Sequence, residues 1–117
     1  MAQGELSPQM QQQLATLQNL NTSLQAAASQ RAQMEAMKLE SEQALEALKA
    51  AAEDAPVYRS VGAILVRDSR AEATKRLEED LETLTLRVER MQKQEAQMRE
   101  QMGALQQKLQ SALQGKA

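Results

Sequence analysis

The feature that most constrains this chain is a stripe in its second half. Leu77, Leu81, Leu84, Val88, Met91, Glu95, Met98, Met102, Leu105, Leu109 and Ala112 follow one another at alternating intervals of four and three residues, and all but Glu95 are apolar. A strand changes face at every residue, whereas this mean spacing keeps a narrow seam on one side of an α-helix. Sustained over several heptads, such a seam winds the helix around a partner helix in a left-handed coiled coil. Composition agrees: Ala, Glu, Leu, Lys and Arg make up 63 of the 117 residues, above the share of about one half that marks long helices.

What the chain lacks narrows its chemistry. It has no Phe, Trp, His or Cys, one tyrosine (Tyr58) and one isoleucine (Ile64), so the bulky side chains that fill a layered sheet or a closed pocket are missing. Zinc sites, thiol chemistry and His-based acid–base or triad catalysis are excluded. The carboxylates are scattered over helical faces and no Gly-rich phosphate loop exists, so neither an enzyme nor a cofactor is expected. The net charge is −2 with the signs interspersed, leaving no basic stripe for nucleic acid or an anionic membrane. No apolar run reaches about 18 residues and no charged start leads into an apolar segment, so a cytoplasmic protein is expected.

Punctuation divides the chain into a flexible start (1–7), a first coiled-coil helix (8–54), an oligomerisation segment (55–68), a second coiled-coil helix (69–114) and a flexible end (115–117). Ser7 before Pro8 is a cap residue with proline at the first helical position, and Ala55 before Pro56 disfavours continuing the helix. Ser69-Arg70-Ala71-Glu72 fits a reciprocal capping box, and Gly115 suits the far end.

The first helix carries a looser stripe of Met10, Leu14, Leu17, Leu20, Leu24, Ala27, Met34, Met37, Leu45 and Leu48, with Arg31 and Ser41 where apolar residues belong. If the chain folds back, facing positions should have a constant sum of residue numbers. The pairs 14 with 109, 17 with 105, 20 with 102, 24 with 98, 34 with 88 and 45 with 77 sum to 122 or 123. Glu95 then lies opposite Ala27 and near Arg31. Either Arg31 and Glu95 form a polar layer that fixes the register, or both extend into water; the sequence leaves the two readings open.

Between the helices, Val57 to Val61 and Ile64 to Arg67 form two β-prone runs around Gly62-Ala63, a pattern for a two-residue hairpin. An isolated hairpin is marginal in water and offers unpaired edges, so Val57, Tyr58, Val61, Gly62, Ile64, Leu65 and Val66 are expected to pair with other chains. The fold class that follows is mainly α: an antiparallel two-helix coiled coil with a β-hairpin at the bend.

The order helix, hairpin, helix, the Val57-Tyr58-Arg59-Ser60-Val61-Gly62-Ala63-Ile64-Leu65-Val66 bend, the Leu81 to Arg87 run and Lys93-Gln94-Glu95 together resemble the β-type subunits of the prefoldin family, over nearly the whole chain. The single hairpin fits the β rather than the α type. The resemblance implies a hetero-hexamer of two α and four β subunits whose hairpins form a barrel platform. It further implies an ATP-independent holdase that grips unfolded client proteins at the coiled-coil tips and hands them to a group II chaperonin. The fold-back register brings Leu6, Met10, Leu14, Leu17 and Leu20 together with Met102, Leu105, Leu109 and Leu113, an adaptable apolar set suited to unselective contact with exposed hydrophobic segments. The alternative reading is a structural coiled-coil adaptor without chaperone activity, against which the β-prone bend argues.

Overall fold

The computed structural model describes residues 7–115. Helix α1 (Pro8–Ala50) leads into strand β1 (Val57–Val61), which turns back as β2 (Ile64–Asp68) and continues into helix α2 (Arg70–Leu113). This is the mainly α fold, an antiparallel helix pair with a hairpin at the bend, that the heptads and the β-prone runs point to. The chain divides into two units: residues 32–89, which hold the hairpin and the adjoining helix segments, and residues 1–31 with 90–117, which hold the opposite ends of the two helices.

Local chemistry sets the boundaries. Ser7 Oγ accepts from the Met10 amide at 3.1 Å, and the Ser7 carbonyl receives the Gln11 amide at 2.9 Å, so α1 begins with one of its orphan donors capped. The helix stops at Ala50, short of the expected Asp54, because residues 51–55 already turn, with the Ala55 amide on the Ala52 carbonyl at 3.0 Å. At the start of α2, Ser69 Oγ accepts from the Glu72 amide at 3.0 Å. The other half of the expected capping box is absent. The Ser69 amide donates instead to Asp68 Oδ1 at 2.9 Å, since the carboxylate of the preceding residue is nearer than a Glu reaching back from the helix.

The hairpin is paired in strict register, from Val57 with Asp68 to Val61 with Ile64; β2 therefore runs one residue beyond the expected Arg67. Gly62 has φ of +59° and Ala63 does not enter the positive region, the requirement of a type II′ turn, which only a residue without Cβ meets freely at its first position.

Along α2 every stripe position from Leu77 to Leu109 is half-buried or buried, with Thr85 and Gly103 half-buried beside it, while Ala112 is exposed. Among the described residues, the buried apolar side chains are Ala73, Leu84, Val88 and Leu109, all on α2. Helix α1 has none. Apart from Ala28, its half-buried positions nevertheless repeat at three and four residues without a break: Met10, Gln13, Leu17, Leu20, Leu24, Ala27, Arg31, Met34, Lys38, Ser41, Leu45 and Leu48. The frame is thus more regular than the apolar residues suggest. Leu14 and Met37, counted above as seam residues, lie beside it and are exposed; Gln13 and Lys38 hold their places. Long polar side chains serve at a seam because their stems cover apolar surface while their heads reach water.

Candidate interaction surfaces

In an antiparallel pair, directly opposed residues share a face and successive residues alternate. Applied to the observed register, this places Val57, Val61, Ile64 and Val66 on one face of the hairpin with Arg59 and Asp68, and Tyr58, Ser60, Leu65 and Arg67 on the other. Among the described residues, neither face is covered. Ile64 is 61% and Leu65 71% exposed, and Tyr58, Val61 and Val66 are exposed as well; Val57 alone among the hairpin's apolar residues is half-buried. The Arg67 guanidinium stands 5.9 Å from the centre of the Tyr58 ring, a cross-strand cation–π contact that orders one face.

The root of the hairpin is held by two arginines that the sequence patterns did not single out. Arg70, at the first position of α2, donates from Nη1 to the Ala52 carbonyl at 2.7 Å and from Nη2 to the Ala51 carbonyl at 2.8 Å and to the Leu48 carbonyl. A cation in a helix's first turn opposes that helix's own dipole. Here it caps the carbonyls at the end of the other helix, where the dipole is negative, and charge-assisted bonds of this kind are the stronger ones. The signal in the sequence is the misplaced charge itself. Arg76 donates from Nη1 to Asp68 Oδ2 at 2.7 Å. That hydrogen bond, aided by the Ser69 amide, holds the Asp68 carboxyl below its ordinary pKa, and the same partner raises Arg76.

In the other unit, Glu95 is the most deeply buried side chain among the described residues, 1% exposed in the middle of an apolar stripe. Its Oε2 accepts from Arg31 Nε. Oε1 lies 3.5 Å from Arg99 Nη2 and accepts no hydrogen bond among the described residues. Of the two readings the sequence left open, extension into water does not describe Glu95; Arg31 keeps about a quarter of its surface exposed, so only its end of the pair is wet.

The same unit brings together the apolar residues expected at the helix ends. Met10, Leu17, Leu20, Met102 and Leu105 are half-buried and Leu109 is buried, while Leu14 is exposed and Leu113 is 65% exposed. Leu20 is half-buried at its expected place in the stripe. Leu6 lies outside the described residues. A shallow groove lined by Met10 and Gln13 of α1 and by Ala104, Gln107, Lys108 and Ala112 of α2 runs between these ends. It is a surface of mixed character, with amide side chains beside a few aliphatic ones.

The comparisons with known proteins bear on this arrangement directly. Residues 11–116 match the family model of the prefoldin subunits. A prefoldin subunit beta of Archaeoglobus fulgidus is 46% identical over 94% of this chain and 95% of its own length, and one of Methanosarcina acetivorans is 42% identical over 97% of each. The chain is a member of the prefoldin beta-subunit family. The crystal structure of the prefoldin beta subunit from Thermococcus strain KS-1 superposes with a TM-score of 0.86 at 30% identity, covering 93% of this chain and 96% of that one. Prefoldin subunits form a non-enzymatic chaperone family, so this chain is a chaperone subunit and belongs in a prefoldin complex. Among the described residues no group of acidic side chains is arranged to hold a metal ion, and no helix is long and apolar enough to cross a membrane.

Proposed function

We propose that this chain assembles through its hairpin, with an α-type partner subunit, into a hexamer of two α and four β subunits. In the cytoplasm the hexamer holds unfolded proteins at the helix ends without ATP and passes them to a group II chaperonin. The observation that carries the reading is the location of unspent apolar surface. The large aliphatic side chains most exposed among the described residues are Leu65, Leu113 and Ile64, that is, the hairpin and the end of α2. Exposed aliphatics on a two-stranded hairpin call for other strands, whereas scattered leucines and methionines among glutamines offer weak, adaptable contact to segments of no fixed sequence. Arg31 and Glu95, in this reading, fix the register on which the two helix ends meet.

The experiment removes the helix ends. Deletion of residues 1–13 and 106–117 leaves the hairpin, its root and Glu95 in place, so the complex should keep its mass. Suppression of aggregation of several unrelated denatured proteins, measured without nucleotide, should fall sharply. Replacing Met10, Leu109 and Leu113 together by Ser should give a milder loss, since many weak contacts are shared among several arms. Undiminished protection by the correctly assembled truncated complex would move the client surface elsewhere, and an intact complex that protects nothing would be a passive tether.

A further inference from the structure

Along the sequence the charges are mixed in sign, but folding back sorts them. The unit of residues 32–89 holds 13 of the 16 acidic residues and 8 of the 14 basic ones, a net charge of −5, whereas the unit with the helix ends holds 3 and 6, a net charge of +3. The cause lies in α1. Between Glu5 and Arg31 no residue is charged, so α2 largely sets the sign at this end.

The few carboxylates there are mostly occupied. Glu95 is buried against Arg31, with Arg99 3.5 Å from its other oxygen, and Glu5 lies outside the described residues, which leaves Glu100 as the exposed carboxylate of this unit. Arg90, Lys93 and Lys108, by contrast, are exposed and make no hydrogen bond or ion pair among the described residues. Lys108 lines the groove between the helix ends, and every other residue that lines it, Met10, Gln13, Ala104 and Gln107 among them, is uncharged. The start of α1 and the end of α2 meet in this unit, so their opposite helix dipoles offset each other and the side chains decide the field. A groove with aliphatic patches, amide side chains and one cation has nothing to repel a carboxylate and something to hold it.

We propose that the helix ends select unfolded segments that carry negative charge beside their apolar side chains, so that acidic clients are captured faster and held more tightly than basic ones of equal hydrophobicity. The proposal rests on client holding at the helix ends and names the class of client. Apolar contact supplies adhesion that is indifferent to sequence. Three exposed cations per chain, repeated on several arms, add a longer-range attraction that salt screens. Each contact is weak by itself, so the selection is graded and capture stays broad.

The test uses the complete complex, co-expressed with its other subunits and free of chaperonin. The probe is lysozyme held unfolded by reduction and carbamidomethylation. Its amino groups are either guanidinated, which keeps their positive charge, or succinylated, which turns each into a carboxylate. At low salt the succinylated form should bind about threefold to tenfold more tightly, and the difference should shrink as salt is raised. Arg90→Glu, Lys93→Glu and Lys108→Glu together, none of them on the stripe, should reverse the order in a complex of unchanged mass. Lys108→Glu alone should narrow the gap without reversing it. Three reversals in the other unit, Lys49→Glu, Lys75→Glu and Arg87→Glu, all at exposed positions, should leave the order as it was. If both forms bind equally and the reversed helix ends change nothing, charge selection is overturned and capture by apolar contact stands. If reversals in the other unit shift the order as much, the net charge of the complex is responsible and the proposal falls. A complex of full mass that binds neither form would overturn client holding itself.

Discussion

The hairpin and the Glu95 layer invert each other. At the hairpin, aliphatic side chains are left in water, with Leu65 71% exposed; in the seam, a carboxylate is taken out of it, with Glu95 1% exposed. Both break the usual ordering of residues by burial, but they differ in whether the chain resolves the violation. Arg31 answers one oxygen of Glu95 within the same fold and Arg99 stands 3.5 Å from the other, so the charge of that feature is compensated internally and speaks of structure. Among the described residues nothing answers Ile64 and Leu65, so that feature is incomplete and speaks of other molecules. An irregularity becomes evidence for a partner only when the fold fails to satisfy it.

The sharpest way to break this contrast is to make the hairpin tolerable in water. Ile64→Asp with Val66→Asp puts two charges on its aliphatic face, where burial against other strands would be prohibitive. The complex should dissociate, seen as loss of mass, while far-UV circular dichroism of the released chain keeps its helical signal. Retention of the full mass would make the helices the seat of assembly.

A smaller effect is expected from completing or emptying the seam. Glu95→Ala removes one partner of a buried pair and takes a charge-assisted hydrogen bond from Arg31, a change that costs about 3–5 kcal/mol in fully buried pairs and less here because Arg31 is partly wet. Glu95→Leu makes the stripe wholly apolar and should be neutral or stabilising by about 1–4 kcal/mol, at the expense of a unique register. Thermal unfolding measures the first difference, and cross-linking between cysteines placed on α1 and α2 in unit 1–31 with 90–117 measures the second. Equal effects of Ala and Leu would mean that the carboxylate contributes nothing beyond its volume.

Arg70→Ala should act at the root, by about 1–3 kcal/mol, since the end of α1 loses three acceptor contacts to one charged group. Hydrogen exchange of the 51–56 and 57–61 amides should quicken while that of α2 beyond its first turns should not. The least effect concerns acid. Asp68 has a lowered carboxyl pKa because Arg76 and the Ser69 amide hold its charged form, so its contribution is complete above the ordinary carboxylate range and is lost as the pH falls through and below it. Root protection should therefore be flat near neutrality, and Asp68→Asn should remove the part of the decline below about pH 4 that the wild-type chain shows.

The elements were legible in the sequence because their signals are local or periodic. The stripe of α2 repeats at a fixed interval, Ser7 and Ser69 mark helix starts, and Gly62 between β-prone runs marks the turn. Arg31 and Glu95 were legible as neighbours because the fold-back register is arithmetic. The frame of α1 was less so. Apolar character alone points to Leu14 and Met37 rather than Gln13 and Lys38, since seam positions are set by geometry and amphipathic side chains fill them as well. The Arg70 clasp was hidden for another reason: it joins the start of one helix to the end of another, and no spacing within either helix encodes it. At the Ser69 amide Asp68 takes the place expected of Glu72, because two acceptors lie within reach of one donor.

The clasp, the Arg76 pair and the Glu95 layer also define an order in time. Arg76 and Asp68 are 8 residues apart in sequence, Arg70 and Leu48 are 22, and Arg31 and Glu95 are 64. Closing a loop costs entropy that rises with its length, slowly once neighbouring contacts are already made. The chain therefore zips from its turn outward: the hairpin and its root form first, each closed layer shortens the loop for the next, and the helix ends meet last. By the same logic they part first. On this order of closure, the layer where Leu109 and Leu113 are found is the last made and the first lost, a consequence of connectivity alone.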